Sequence, residues 1–329
     1  MRIAITNQGK SGDFQREENS PWDHFFDSLA RSEHSVVSLN EDYEGIVFMN
    51  FNLPIFLIHG LKIPKNRRFL VLWESEVNKP LQFMRIFRRL FGYVYIPSDL
   101  WRLNGDEIRF NWPQDSREKI QTIRWQDRIS KLILINSNRI SFASKENYSR
   151  RRILAHELSD ILDLFGSGWN SKFGSSYALL RAIKNIPGII LGKDFKLNST
   201  KYLFRTFPNY LGFAEDKLSI MSEYKFALII ENSSNYISEK LVDAIIAGCV
   251  PIYIGPKIEE FNFPAEIAIR VDSNSAKIRE TINSALTNPK YVKGILESGQ
   301  YFLKSEEFAK HKNTHVLAEM SEHIVKVLT

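Results

Sequence analysis

Apolar residues cluster along this chain in short runs set between polar stretches, the spacing of strands more than of long amphipathic helices. Residues 2–6 (RIAIT) read as a β-strand. A polar loop follows, then a helix predicted from Pro21, with Ser20 able to cap it and Pro21 suited to the first turn. Further strands are predicted at 34–39, 45–49 and 69–73, alternating with helical or loop segments, the pattern of an open α/β sheet and not of a sandwich. The first domain closes near Ile129, giving 1–130, and the second covers 131–329.

From Lys131 the pattern restarts. Residues 132–136 read as a buried strand, and 150–162 have helical spacing through Ile153, Leu154, Leu158, Ile161 and Leu162. Phe165, Gly166, Ser167 and Gly168 then suggest a tight turn after another short strand, while 169–215 yields no element. The best-defined unit is YKFALIIENSSNYISEKLVDAIIAGCVPIYIGP, residues 224–256. It predicts a strand at 226–230, a polar loop at 231–238, a helix at 239–247 with Leu241, Ala244, Ile245 and Ala247 inward, and a strand at 250–254. Gly248 ends the helix in the left-handed conformation that glycine tolerates, and the whole is a right-handed βαβ crossover.

Ligands of open parallel sheets sit beyond the carboxyl ends of the strands, so the 231–240 loop lies in the crevice. Ser238 is a candidate N-cap, and the helix start together with Lys240 would attract a diphosphate. Glu239, acceptor-only, suits the paired hydroxyls of a ribose. The alternative is that Glu239 complements the helix dipole and Lys240 is solvated.

The string YKFxLxxEN, a short loop, a Tyr-Ile-Ser-Glu-Lys helix start and VPIYxG resembles the donor-site signature of the family-10 glycosyltransferases, the alpha-1,3-fucosyltransferases. The resemblance implies an α/β GT-B fold of two facing Rossmann-like domains, the first binding the acceptor and the second the nucleotide sugar. It also implies transfer of L-fucose from GDP-fucose to a glycan hydroxyl with inversion. By the same resemblance Glu239 holds the ribose, Lys240 the phosphates, Tyr236 lines the nucleotide pocket and Asn232 bonds near the base or sugar. Ile230 departs from the family, which usually has an aromatic before Glu-Asn, and the loop from Asn232 to Tyr236 is short.

A second patch, LILINSNRISFASKENYSRRRILAHEL, resembles the family's serine-asparagine strand end and Arg-led helix. Arg151 is the implied phosphate ligand, with Arg150 and Arg152 as competitors; arginines at a helix start oppose the dipole and so call for another role. A third, FLVLWESEVNKP, carries Glu74 where the family has its general base. Glu76 is the alternative, since no proline follows Ser75.

Composition adds limits. The 44 Lys and Arg exceed the 38 Asp and Glu, a formal charge of +6 that favours anionic partners without choosing one. No aromatic and basic interleaving of a nucleic-acid-binding kind is present, so no nucleic-acid partner is expected. Cys249 is the single cysteine, suggesting packing and a reducing, cytoplasmic setting. Residues 83–96, FMRIFRRLFGYVYI, suit either an amphipathic helix in peripheral membrane contact or a core helix with an arginine face. Gly9, Lys10 and Ser11 only imitate a P-loop end. His311 and His315 lack a third metal ligand, and no Asp-x-Asp pair occurs, so no metal site and no obligate cofactor is expected beside the donor substrate. A transferase using another nucleotide sugar, and a non-catalytic glycan- or nucleotide-binding relative, are the competing readings.

Overall fold

The computed structural model describes residues 1–6, 25, 27, 29, 34–114, 123–171, 174, 177–197 and 200–329. Ser20, Pro21 and the Gly9-Lys10-Ser11 run lie outside them, although Phe25, Asp27 and Leu29 are helical. The chain divides into two compact units, Met1–Ser116 with Ala309–Thr329, and Arg117–Phe308.

The first unit carries the strands β1 (Arg2–Thr6), β2 (Ser35–Val37), β3 (Gly45–Met49), β4 (Arg68–Val71), β5 (Tyr93–Ile96) and β6 (Ile108–Arg109), in the sheet order β2-β1-β3-β4-β5-β6. Each pairing is parallel. β3 is buried along its whole length, which explains its unbroken apolar sequence, since a parallel strand is covered on both faces. Phe48, Phe51, Phe56 and Phe91 pack there with ring centroids 5.3 to 6.0 Å apart.

The sequence reading ends this domain near Ile129 and assigns the C-terminus to the other one, whereas residues 309–329 return to the first unit. The helix Asn313–Leu328 is tied there by a 2.7 Å hydrogen bond between Tyr95 Oη and His323 Nδ1. Leu328 packs so closely on β3 that a Cβ at Gly45 would sit 3.3 Å from it.

The second unit carries β7 (Ile129–Ile135), β8 (Leu162–Phe165), β9 (Tyr210–Gly212), β10 (Tyr224–Ile230), β11 (Val250–Ile254) and β12 (Ile269–Arg270), ordered β12-β11-β10-β7-β8-β9 and again parallel. From the adjacent β7 and β10 the chain runs outward in opposite directions, which makes their carboxyl ends the topological switch point of the sheet. The helix Lys240–Ile246 and Gly248, at φ +72°, complete the predicted crossover. Arg128 donates from Nη1 to the carbonyls of Ala247 (3.1 Å) and Gly248 (2.6 Å), a cation on the free carbonyls of a helix end. Cys249 is buried, with its thiol pushed up to about 12 by that burial, and so acts in packing.

Two helix readings are corrected. The helix predicted over 150–162 is Tyr148–Glu157; Leu162 opens β8, because a few apolar residues after a turn satisfy either periodicity. Residues 83–96 form no single helix. A turn at Pro80–Phe83 leads to a helix at Arg85–Arg88 and then β5. Arg88 is buried against Glu107, with Nη1 and Oε1 3.2 Å apart. Where no element was read, a helix spans Ala178–Leu191.

Candidate functional site

At the switch point, β10 ends at Ile230 and runs into Glu231 and Asn232, while β7 ends just before Asn136. Asn147, at the start of Tyr148–Glu157, donates its N–H to the carbonyl of Asn232 at 3.1 Å, and Glu146 pairs with Ser233 in an antiparallel bridge. The two loops are thus stitched together. Glu146 also accepts the N–H of Ser149 at 2.9 Å, anchoring the first turn of the helix.

That turn carries the three arginines, and the structure separates them. Arg150 donates to Asn147 Oδ1 at 2.9 Å, and Arg152 to the carbonyl of Arg139 at 2.7 Å. Arg151 alone reaches the site: Nη2 donates to the carbonyl of Ile230 and to Asn232 Oδ1, both at 2.8 Å. Its guanidinium lies 4.9 Å from the Tyr148 ring centroid, a cation–π distance. The residue is 2% exposed, and its Nε has no hydrogen-bond partner. Burial, with Arg139 nearby, outweighs Tyr148, Glu231 and Glu146 and lowers its pKa to about 10.

Beside it Ser238 and Lys240 gather on a carboxylate that sequence reasoning left out. Glu231 is fully buried and accepts the N–H and hydroxyl of Ser238 at 3.1 and 2.7 Å. Lys240 Nζ lies 3.4 Å from its Oε2 and donates to Ser238 Oγ at 2.8 Å. Lys240 is therefore no freely solvated charge. Ser238 caps less than expected, since its hydroxyl serves Glu231 and Lys240 Nζ, and Glu239 takes the cap position without a side-chain bond. The Glu-Asn pair in the sequence was the available signal for Glu231, and only the neighbouring Asn232 was singled out.

Glu239 borders this network, with the Lys240 charge acting on its carboxylate. Its side chain is 51% exposed, with Lys217 3.6 Å away, so the carboxylate is presented to solvent. Tyr236 is buried under the same loop. Gly255, after β11, has its own necessity: a Cβ there would meet Tyr253 Oη at 2.4 Å and Glu231 Cγ at 3.0 Å.

In the first unit, Glu74 follows β4 and is half-buried. Its N–H donates to Asn50 Oδ1 at 2.7 Å, its carbonyl accepts from Gln82 Nε2 at 2.6 Å, and its carboxylate accepts from Asn78 at 2.7 Å. Asn50, at φ +68°, also takes the N–H of Trp73 at 3.0 Å. Asn50 and Gln82 hold this loop and were missed, because their partners lie far along the chain. Glu76 is buried, unlike the partly accessible Glu74. His315 pairs with Glu319. Among the described residues no group of three or more His, Cys, Asp or Glu side chains could share a metal ion, and no helix is long and apolar enough to cross a membrane.

Residues 205–286 match the model of the glycosyltransferase family 10 (fucosyltransferase) C-terminal region. A stretch of 117 residues, 34% of this chain, is 34% identical to 4-galactosyl-N-acetylglucosaminide 3-alpha-L-fucosyltransferase 9 of Mus musculus and covers 29% of it. The chain thus spans less than a third of the length of the curated relatives it matches. Among solved structures, an alpha1,3-fucosyltransferase with GDP-fucose aligns at TM-score 0.52 and 14% identity, over 90% of this chain and 80% of that one. HepE of Anabaena in complex with UDP-glucose aligns at TM-score 0.60 and 11% identity, over 99% of both. The fold is α/β and of the GT-B class, and the resemblance to family 10 read from the motif is met by the family model and the curated relative.

Proposed function

We propose that this chain is an inverting fucosyltransferase that moves L-fucose from GDP-fucose to a hydroxyl of a glycan acceptor. The observation that carries this reading is the meeting of Arg151 with Asn232, next to the Glu231–Ser238–Lys240 cluster, at the switch point of a sheet whose β10 and β11 lie within the family-10 match. Lys240 and the remaining N–H groups of Arg151 hold the diphosphate, where cations stabilise the charge that grows as GDP departs. Glu239, exposed and acceptor-only, takes the ribose hydroxyls; Asn232 and Tyr236 line the base and sugar side.

Glu74 is the base. It takes the proton of the acceptor hydroxyl, whose oxygen attacks the anomeric carbon of fucose opposite the departing GDP; GDP leaves with the bonding pair and the anomeric configuration inverts. Asn50 and Gln82 fix the loop that carries it, and Asn78 orients the carboxylate.

A second reading keeps the chemistry and changes the donor, because a UDP-glucose-bound protein shares the fold as well as a GDP-fucose-bound one does. Thermal unfolding with GDP, UDP, ADP and CMP separates the two, since a ligand that binds only the folded state raises its stability by mass action. GDP gives the largest shift on the first reading. A larger shift with UDP replaces it with the second, and no shift with any nucleotide sinks both.

A further inference from the structure

We propose that the helix Ala178–Leu191 and the loop after it form a docking surface for an anionic lipid bilayer. This helix turns the usual distribution of side chains around. The residues it buries against the second unit are chiefly small, Ala178, Ala182 and Gly188 with Ile189, and Ala178 and Ala182 pack with Ile140, Phe142, Leu179 and Leu203. Its large aliphatic residues face solvent: Leu180 is 61% exposed, Ile183 50%, Ile190 56% and Leu191 61%. At 3.6 residues per turn these four fall within about 100° of one another, so they form a stripe and not a scatter. Tyr177, before the helix, and Leu197, in the loop after it, are each 70% exposed.

A contiguous apolar face of this kind marks an interaction surface, and its charges select the occupant. Arg181 and Lys184 on the helix, and Lys193 and Lys196 in the loop after it, are exposed. The only acid from 177 to 197 is Asp194, which accepts a hydrogen bond from the Ser144 hydroxyl. Apolar side chains bordered by cations with long aliphatic stems match an interface of acyl chains beneath anionic headgroups. A second copy of the chain fits less well, because a two-fold contact would set four cations against four.

The loop that seats the surface also seats the donor loop. Ala143 bridges Phe195, and Lys196 donates its N–H to the carbonyl of Phe142 at 3.0 Å; a few residues on, Glu146 and Asn147 hold Ser233 and Asn232. The docking surface stands independently of the donor assignment.

The test is co-sedimentation of the full chain with vesicles of phosphatidylcholine alone and of phosphatidylcholine with phosphatidylglycerol. The protein partitions onto the anionic vesicles and little onto the neutral ones. Ile183→Ser/Leu191→Ser, which withdraws apolar area from the acyl region, and Lys184→Gln/Lys193→Gln, which removes two surface cations, each lower that partition about tenfold or more. All four side chains are exposed, so thermal unfolding stays unchanged. Arg85→Gln/Arg89→Gln, in the first unit, leaves the partition as it was, which separates this surface from the general positive charge of the chain. Parental partition in both test variants overturns the proposal. So does a parent that ignores anionic vesicles, or one that forms a concentration-dependent dimer that Ile183→Ser/Leu191→Ser abolishes.

Discussion

Substituting Arg151 by methionine separates its binding role from a structural one. Methionine keeps a flexible apolar stem in the same space and removes the guanidinium. Two bonds of 2.8 Å are lost, to the carbonyl of Ile230 and to Asn232 Oδ1; hydrogen bonds to a charged group contribute about 1.5–3 kcal/mol each. Against this, burial lowers the pKa of the group to about 10, a penalty on the charged form on the order of 3 kcal/mol. That penalty acts below pH 10 or so and is relieved only as the guanidinium loses its proton above it. The substitution removes both the bonds and the penalty, so the net destabilisation is about 0–3 kcal/mol. GDP affinity falls about tenfold or more, because a charge-assisted contact to the diphosphate goes and Asn232 loses its anchor. Urea denaturation gives the first quantity and calorimetric titration with GDP the second. Parental GDP affinity combined with a stability loss well above about 3 kcal/mol would show that Arg151 only props the loop.

Three further outcomes are expected. Glu74→Gln lowers transfer by about 10² to 10⁴ fold, the usual contribution of a positioned base, with GDP affinity unchanged, and Glu76→Gln does much less; steady-state kinetics and calorimetry on both variants check this. Gly166→Ala destabilises by about 3 kcal/mol or more, because Gly166 has φ +120° and a Cβ there would lie 2.1 Å from the carbonyl oxygen of Asn136; thermal unfolding reads it. The pKa of His323 is lowered by burial and then by Lys326, so the folded state favours the neutral ring. Its contribution is complete above about pH 6.5, the unfolded value, and is lost as pH falls below that, a slope in urea stability that His323→Gln flattens.

Legibility followed the range of the interactions. β3 and β11 match the predicted runs because buried parallel strands are written as continuous apolar sequence, and Gly248 was recognisable because a helix meets a strand there and only glycine accepts the angle easily. The return of the C-terminal helix to the first unit was not legible: Tyr95 and His323 are 228 residues apart, and nothing local records a partner so distant. The site divides in the same way. Asn232, Lys240 and Arg151 stand in recognisable local strings, whereas the contacts that join them, and the service of Asn50 and Gln82 to the Glu74 loop, appear only once separate strands end side by side. The helix Ala178–Leu191 escaped notice because Pro187 and Gly188 interrupt it, and because its outward apolar stripe breaks the rule by which such faces are assigned to a core.

A product assay reads fucose transfer by this chain without an intermediary. With GDP-fucose and a panel of galactose- and N-acetylglucosamine-containing acceptors, GDP is released together with an alpha-linked fucosyl product, read by nuclear magnetic resonance at the new anomeric centre, if the proposed transfer is right. A protein that leaves GDP-fucose untouched across that panel while turning over a UDP-linked sugar would contradict it.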